Sequence, residues 1–381
     1  MGKKVALVNG DIYTGRSVLS AHAVLMDGDT ITGTPPADAV PADFERIDLK
    51  GNAVAPGFID TQVNGGGGVL FNDEPTAEAL QAISAAHERF GTLHFCPTII
   101  SSDSETMGQG IMAVQKAKSC NIGVLGIHLE GPFLCEKRAG IHPQKYIRTA
   151  TAEEVNQILA WGQGDISIIT IAPEAVDESM IQLLAASGIK VFVGHSDAAA
   201  PQVKAAFGAG AVGVTHLFNA MSQMTGREPG VVGASLSTPS TWAGIIVDGR
   251  HVDYANVQIA KACKKDRLYF VTDAMPPVGK PNAVFTIGAH TIRCVDGLCA
   301  TPEGTLAGSA LDMATAVRNG IERCGIAREE ALRMASTYAA EMLGLSEKYG
   351  VIRPGAYADM VILNDSMYVE GIVRKGNITI F

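Results

Sequence analysis

Hydrophobic and polar positions along the chain fall into two rhythms. Over residues 3–50, short apolar runs break at turn-forming pairs: Val5-Ala6-Leu7-Val8 runs into Asn9-Gly10, and Ala23-Val24-Leu25-Met26 into Asp27-Gly28. Asn-Gly and Asp-Gly tolerate the positive φ of tight hairpin turns, so this head reads as antiparallel strands. The tail from Gly350 has the same pattern, with strands predicted at 359–363 and 370–374 and a turn at Lys375-Gly376-Asn377. A short all-β segment cannot bury two faces alone, so head and tail (1–53 and 350–381) are expected to pair into one small β-sandwich.

Between them, near-continuous apolar runs alternate with segments of helical period. Strands are predicted at 54–63, 92–99, 124–129, 166–171, 190–193, 213–216, 244–247 and 268–272, and helices over, for example, 76–90, 151–160 and 178–186. Eight strands alternating with helices predict an α/β fold, a (β/α)8 TIM-like barrel over 54–349. A doubly wound open sheet is the alternative. It fits less well, because ligand-type residues fall at the ends of several strands.

Those ends are Glu130 after Ile127-His128-Leu129, His195 after Val193-Gly194, His216 after Val214-Thr215, and Asp273 after Val271-Thr272. Singly, each has a plain reading as a solvated carboxylate, a helix cap or a structural histidine. An anionic side chain at a strand end is costly to bury unless something positive meets it. The recurrence of Glu, His, His and Asp at four strand ends predicts a metal site with a general base beside it.

Composition narrows the class. With 47% hydrophobic and 18% charged residues over 381 positions, the chain suits a globular enzyme with a large core. The formal net charge of −9 speaks against nucleic acid as a partner. No run approaches the roughly 18 apolar residues of a membrane span. The start, Met1-Gly2-Lys3-Lys4, lacks a signal-peptide core, so a cytoplasmic location is expected. The seven cysteines include no C-x-x-C pair. Cys294 and Cys299 flank Asp296-Gly297 and could face each other across a hairpin, but reduced thiols are expected.

Several longer motifs resemble a known family. They are Pro56-Gly57-Phe58-Ile59-Asp60, His128-Leu129-Glu130-Gly131-Pro132, Gly194-His195-Ser196-Asp197-Ala198, Thr215-His216-Leu217-Phe218-Asn219-Ala220-Met221, Asp248-Gly249-Arg250-His251, Val271-Thr272-Asp273-Ala274 and Leu306-Ala307-Gly308-Ser309. Together they resemble the amidohydrolase superfamily and, within it, the N-acetylglucosamine-6-phosphate deacetylases, over nearly the whole chain. The resemblance implies that Glu130, His195 and His216 bind one divalent metal. Two imidazoles and a carboxylate suit zinc, with iron, manganese or cobalt as other occupants of the same ligands. It further implies Asp273 as general base and acid, and His142 as the group that polarises the acetyl carbonyl.

For the substrate, the resemblance points to Ile141, His142, Asn219, Ala220, Arg227, Asp248, His251, Leu306, Ala307 and Gly308, with Arg227 reaching across a homodimer interface. One departure from the wider superfamily matters. Where many relatives carry His-x-His after the first strand, this chain has Gln62 and Asn64, the remnant of a second metal site. Amide oxygens are poor zinc ligands, and Ile169-Thr170-Ile171 offers no bridging lysine, so a single metal is expected. The implied activity is hydrolysis of N-acetyl-D-glucosamine 6-phosphate to D-glucosamine 6-phosphate and acetate in amino-sugar metabolism. The galactosamine epimer, an N-acyl-amino-acid hydrolase and a catalytically silent sugar-phosphate binder are the alternatives.

Overall fold

The computed structural model describes residues 3–381 except Gln163 and Asp296. The start at Met1-Gly2 and the turn residue Asp296 therefore lie outside the described residues. The chain divides into two compact units.

One unit holds the chain up to Asp60, His87–His94 and Met313–Phe381. Head strands Lys4–Val8, Val24–Asp27, Thr30–Gly33 and Glu45–Asp48 form a four-stranded sheet. A six-stranded sheet joins the head strands Ile12–Tyr13, Val18–Leu19 and Ala53–Pro56 to the tail strands Met360–Leu363, Val369–Arg374 and Asn377–Ile380. Ala53–Pro56 runs antiparallel to Met360–Leu363, with Val54 opposite Ile362, so head and tail pair as expected. Side-chain alternation explains the layering. Val5, Leu7, Val24 and Met26 join Ile362 and Val373 in one buried cluster, while Ala6, Val8, Ala23 and Leu25 pack into a second. Lys375-Gly376 turns the chain into a third tail strand, Asn377–Ile380, beyond the two predicted. Helices Met313–Glu322, Arg328–Ala335 and Thr337–Leu343 belong to the same unit.

The predicted first barrel strand is two strands. Ala53–Pro56 joins the tail, and Phe58–Val63 begins the barrel. Gly57 separates them where a side chain has no room, since a Cβ there would lie 2.6 Å from Leu93 Cδ1. The barrel strands are β1 (Phe58–Val63), β2 (Thr92–Ile100), β3 (Ile127–Glu130), β4 (Ile166–Ile171), β5 (Lys190–Val193), β6 (Gly213–Val214), β7 (Trp242–Ile245) and β8 (Leu268–Phe270). They lie in one parallel sheet in chain order, and a parallel bridge between Val63 and Ala274 brings the first edge to the last. All residues of β1, β2, β3, β7 and β8 are buried, as expected for parallel strands covered on both faces.

Side-chain caps start three of the intervening helices, at Asp103, Thr151 and Asp253. Ala152–Trp161 starts at a capping box, with Thr151 and Glu154 satisfying each other's backbone amides, and stops at Gly162. After β8 the chain builds a four-stranded antiparallel sheet from Val284–Ile287, His290–Val295, Leu298–Ala300 and Leu306–Ser309. One expectation fails here. Cys294 and Cys299 stand directly opposite on adjacent strands, with Cα atoms 4.1 Å apart, and form a disulfide rather than remaining reduced. Among the described residues, the other five cysteines are in no disulfide. Among the described residues, no helix is long and apolar enough to cross a membrane.

Candidate metal centre and substrate cavity

Parallel barrel strands all deliver their carboxyl ends to one rim, which is why residues remote in sequence meet there. Glu130 is the last residue of β3, His195 lies two residues past β5, and His216 two past β6. His216 Nε2 lies 2.9 Å and His195 Nε2 3.3 Å from Glu130 Oε1, and the two imidazole nitrogens are 3.1 Å apart. This is the sole group of three or more potential ligands that meets a metal-site geometry among the described residues.

His195 Nδ1 lies 2.9 Å from the carbonyl oxygen of Arg138. A carbonyl only accepts, so Nδ1 carries the proton and the Nε2 lone pair faces Glu130. Burial alone would raise the Glu130 pKa, but the imidazoles of His142, His195 and His216 hold it well below the usual range. Burial works against the charged form of His216 too, yet Glu130 raises its pKa. A carboxylate and two imidazole nitrogens converging on one buried point fit a divalent cation.

Asp273, three residues past β8, accepts from Asn64 Nδ2 at 2.6 Å through Oδ1. Burial, reinforced by the charge of Glu130, pushes its pKa up to about 6. Gln62 Nε2 likewise donates to Glu130 Oε1 at 2.9 Å. Both amides thus turn their NH₂ groups, not their oxygens, toward the site carboxylates.

His142 comes from the loop after β3. Its Nδ1 accepts the Ser101 backbone N–H at 3.2 Å, so the proton sits on Nε2, 3.7 Å from Glu130 Oε2. Burial and then the charge of His195 push its pKa down to about 4, so the ring is a neutral donor. The backbone is strained at the site. His195, His216, Ala220 and Asp273 have φ of 46°, 30°, 48° and 53°, a region that non-glycine residues seldom occupy.

The cavity above these groups has a volume of about 300 Å³. Its walls include Ile141, Asn219, Ala220, His251, Leu306 and Gly308, so most of the expected substrate residues converge. A model of the amidohydrolase family matches residues 53–379, and one of the NagA composite domain matches residues 5–54. The chain belongs to the amidohydrolase family. It is 36% identical to an N-acetylglucosamine-6-phosphate deacetylase of Haemophilus influenzae, over 98% of each chain. It is 39% identical to an N-acetylgalactosamine-6-phosphate deacetylase of a Shewanella species, over 88% of this chain and 86% of that one. The solved structure of N-acetylglucosamine-6-phosphate deacetylase from Pasteurella multocida superposes with a TM-score of 0.96 at 36% identity, covering 99% of this chain and 100% of that one.

Three expected substrate residues of this amidohydrolase do not line the cavity. Ala307 is buried in the apolar cluster of the antiparallel sheet, between Leu306 and Gly308, which do line it. Asp248 acts behind His251, its Oδ2 2.7 Å from Nδ1, and leaves His251 Nε2 buried without a hydrogen-bond partner. Arg227 is exposed on the loop before the helix Gly230–Leu236 and is not among the wall residues.

Other residues around the site had no role assigned from the sequence. His128, on β3, bonds Thr61 O at 3.0 Å and Thr170 Oγ1 at 2.8 Å, tying strands together inside the barrel. Ser101 fixes the His142 tautomer. Lys137 and Arg138 line the cavity from the loop after β3. Glu130-Gly131-Pro132 just upstream and the expected site residues Ile141 and His142 marked that loop, but no motif marked these two cations.

Proposed function

We propose that this amidohydrolase removes the acetyl group from N-acetyl-D-glucosamine 6-phosphate, giving D-glucosamine 6-phosphate and acetate. The observation that carries this reading is the buried Glu130–His195–His216 cluster with Asp273 and His142 beside it, in a chain so similar to deacetylases of that sugar phosphate. Glu130, His195 and His216 hold one divalent cation, zinc by the character of the ligands. Bound there, a zinc ion supplies Lewis acidity and lowers the pKa of water to about 7.

The rest falls to the chain's own groups. Asp273, ionised above about pH 6, takes the proton of the attacking water and returns it to the leaving amine. His142 Nε2–H donates to the carbonyl oxygen as negative charge develops on it. Asn64 occupies Asp273 Oδ1, which leaves Oδ2 for the proton transfer. Asn219, Ala220 and His251 receive the sugar and its phosphate, and the Leu306–Gly308 backbone covers the sugar.

Arg227, outside the cavity of its own chain, serves a partner's site in a homodimer. The exposed Met224 (58%) on the same loop supports an interface there. The protein works in the cytoplasm, with a composite sandwich (1–53 and 350–381) and a catalytic barrel (54–349). Release of acetate from phosphorylated and free N-acetylglucosamine and N-acetylgalactosamine, on protein of known metal content, tests the reading. Preference for the galacto epimer, whose deacetylase in Shewanella is 39% identical, would replace the substrate. No release from any of them would end the assignment.

A further inference from the structure

A hexosamine 6-phosphate brings about two negative charges into a cavity that already holds two carboxylates, Glu130 and Asp273. Something cationic must face the phosphate. The Lys and Arg residues that line this cavity are Lys137 and Arg138, and Arg227 is not with them. Both side chains meet Asp197: Lys137 Nζ pairs with Oδ2, while Arg138 places Nε at 2.8 Å and Nη2 at 2.7 Å from Oδ1. One carboxylate between two cations leaves a net positive charge. Because Nε and Nη2 share a single oxygen, the Nη1 edge of the guanidinium is outside that contact.

The same loop sits against the expected phosphate cradle. A methyl group at Gly140 would lie 3.6 Å from His195 Cε1 and 4.0 Å from Ala220 Cβ. Cys135 N donates to the His195 carbonyl at 2.9 Å, and the Arg138 carbonyl accepts from His195 Nδ1, so the loop is bolted to a metal-ligand residue at two points. The backbone that carries these two cations is therefore held at the cavity wall.

We propose that Lys137 and Arg138, oriented by Asp197, are substrate-binding residues that meet the 6-phosphate from within the same chain. Arg138 supplies a fork edge and Lys137 a mobile point charge at the rim. Asp197 is a positioning residue: it keeps the two cations together and stops the guanidinium from folding onto Glu130 or Asp273. This rests on the phosphorylated-sugar reading above and adds a phosphate contact that the sequence motifs did not mark.

The test compares metal-loaded wild type with Lys137→Gln, Arg138→Gln, their double variant and Arg227→Ala. The readouts are kcat and KM on N-acetylglucosamine 6-phosphate and on free N-acetylglucosamine, inhibition by inorganic phosphate, and metal content. The double variant should lose about 10- to 100-fold in kcat/KM on the phosphorylated sugar, through KM, with free-sugar turnover and metal content unchanged. Phosphate inhibition should weaken in parallel, and Arg138→Lys should recover part of the loss. Two outcomes overturn the proposal. Either the double variant keeps its preference for the phosphorylated sugar while Arg227→Ala loses it, or both substrates slow together with loss of metal, which makes the loop a scaffold for His195 only. A wild type that does not favour the phosphorylated sugar would instead sink the substrate reading itself.

Discussion

Asp273 is a carboxylate pulled two ways. Burial and Glu130 raise its pKa, while His216, His251 and the Asn64 amide lower it, leaving it near 6. In its proposed role as general base it must be ionised, so kcat/KM should fall as pH drops below about 6, and a bound cation would move that limb lower still. Asp273→Asn keeps the volume but removes the proton acceptor, and turnover should fall by roughly 10²–10⁴ while metal content stays near wild type. Loss of the metal in that variant would show Asp273 to be a ligand instead. The same shift has a stability signature in the metal-free protein. A carboxyl with an ordinary pKa of 3.8 unfolded and about 6 folded binds more protons when folded, so stability falls as pH rises through that window. Above about pH 6 the penalty is complete, and metal-free Asp273→Asn should melt higher than metal-free wild type at pH 7 but not at pH 3.5. Equal melting temperatures at pH 7 would contradict a buried, destabilised carboxylate.

At the scale of elements, the helix Tyr254–Lys264 begins at an Asp253 cap and ends in a buried cation. Lys264 Nζ donates to Ser235 O at 3.1 Å, Thr238 O at 2.8 Å and Thr241 Oγ1 at 2.9 Å, which ties this helix to the end of Gly230–Leu236 and to the approach of β7. Desolvation lowers its pKa to about 8. Lys264→Met retains the stem but leaves those acceptors unpaired, and should destabilise by about 1–3 kcal/mol without altering substrate preference. A denaturant midpoint equal to wild type would show the brace to be idle. This element was not legible in advance, because a lysine at the end of a helix usually marks a solvated C-terminus.

For the whole molecule, the proposed metal would be a fold constraint as well as a reagent. Glu130, His195 and His216 come from β3, β5 and β6, so a bound ion crosslinks three strand ends. Ligand at 100 times its dissociation constant stabilises by about 2.7 kcal/mol, so chelation should lower the melting temperature and re-addition of zinc restore it. Glu130→Gln should remove that response, and a variant that still gains stability with zinc would disprove the ligand set. The proposed homodimer gives a second test. Arg227→Ala should lose about 10- to 150-fold in kcat/KM on the phosphorylated sugar and little on the free sugar. An equal loss on both would mark a folding or assembly defect rather than a phosphate contact.

The sequence by itself determined the rhythm of the barrel and the positions of its reacting ends, because strand period and turn chemistry are local. Glu130, His195, His216 and Asp273 stood out since each interrupts an apolar run where the run should end. It also showed amides, Gln62 and Asn64, where a second metal would want imidazoles, from which a single metal was expected. What only the tertiary structure decided is everything that depends on two distant segments meeting. Gly57 parts one apolar run between two sheets because Leu93 approaches it, and Cys294 and Cys299 bond because a hairpin sets them opposite each other. The proton on His142 lies on Nε2 because Ser101, 41 residues earlier, donates to Nδ1. Lys137 and Arg138 look like an ordinary solvated charge pair until the loop folds onto His195 and turns them to the cavity. Local periodicity specifies which side chains leave a strand on which face, whereas protonation, pKa and charge pairing are set by neighbours that only the closed barrel supplies.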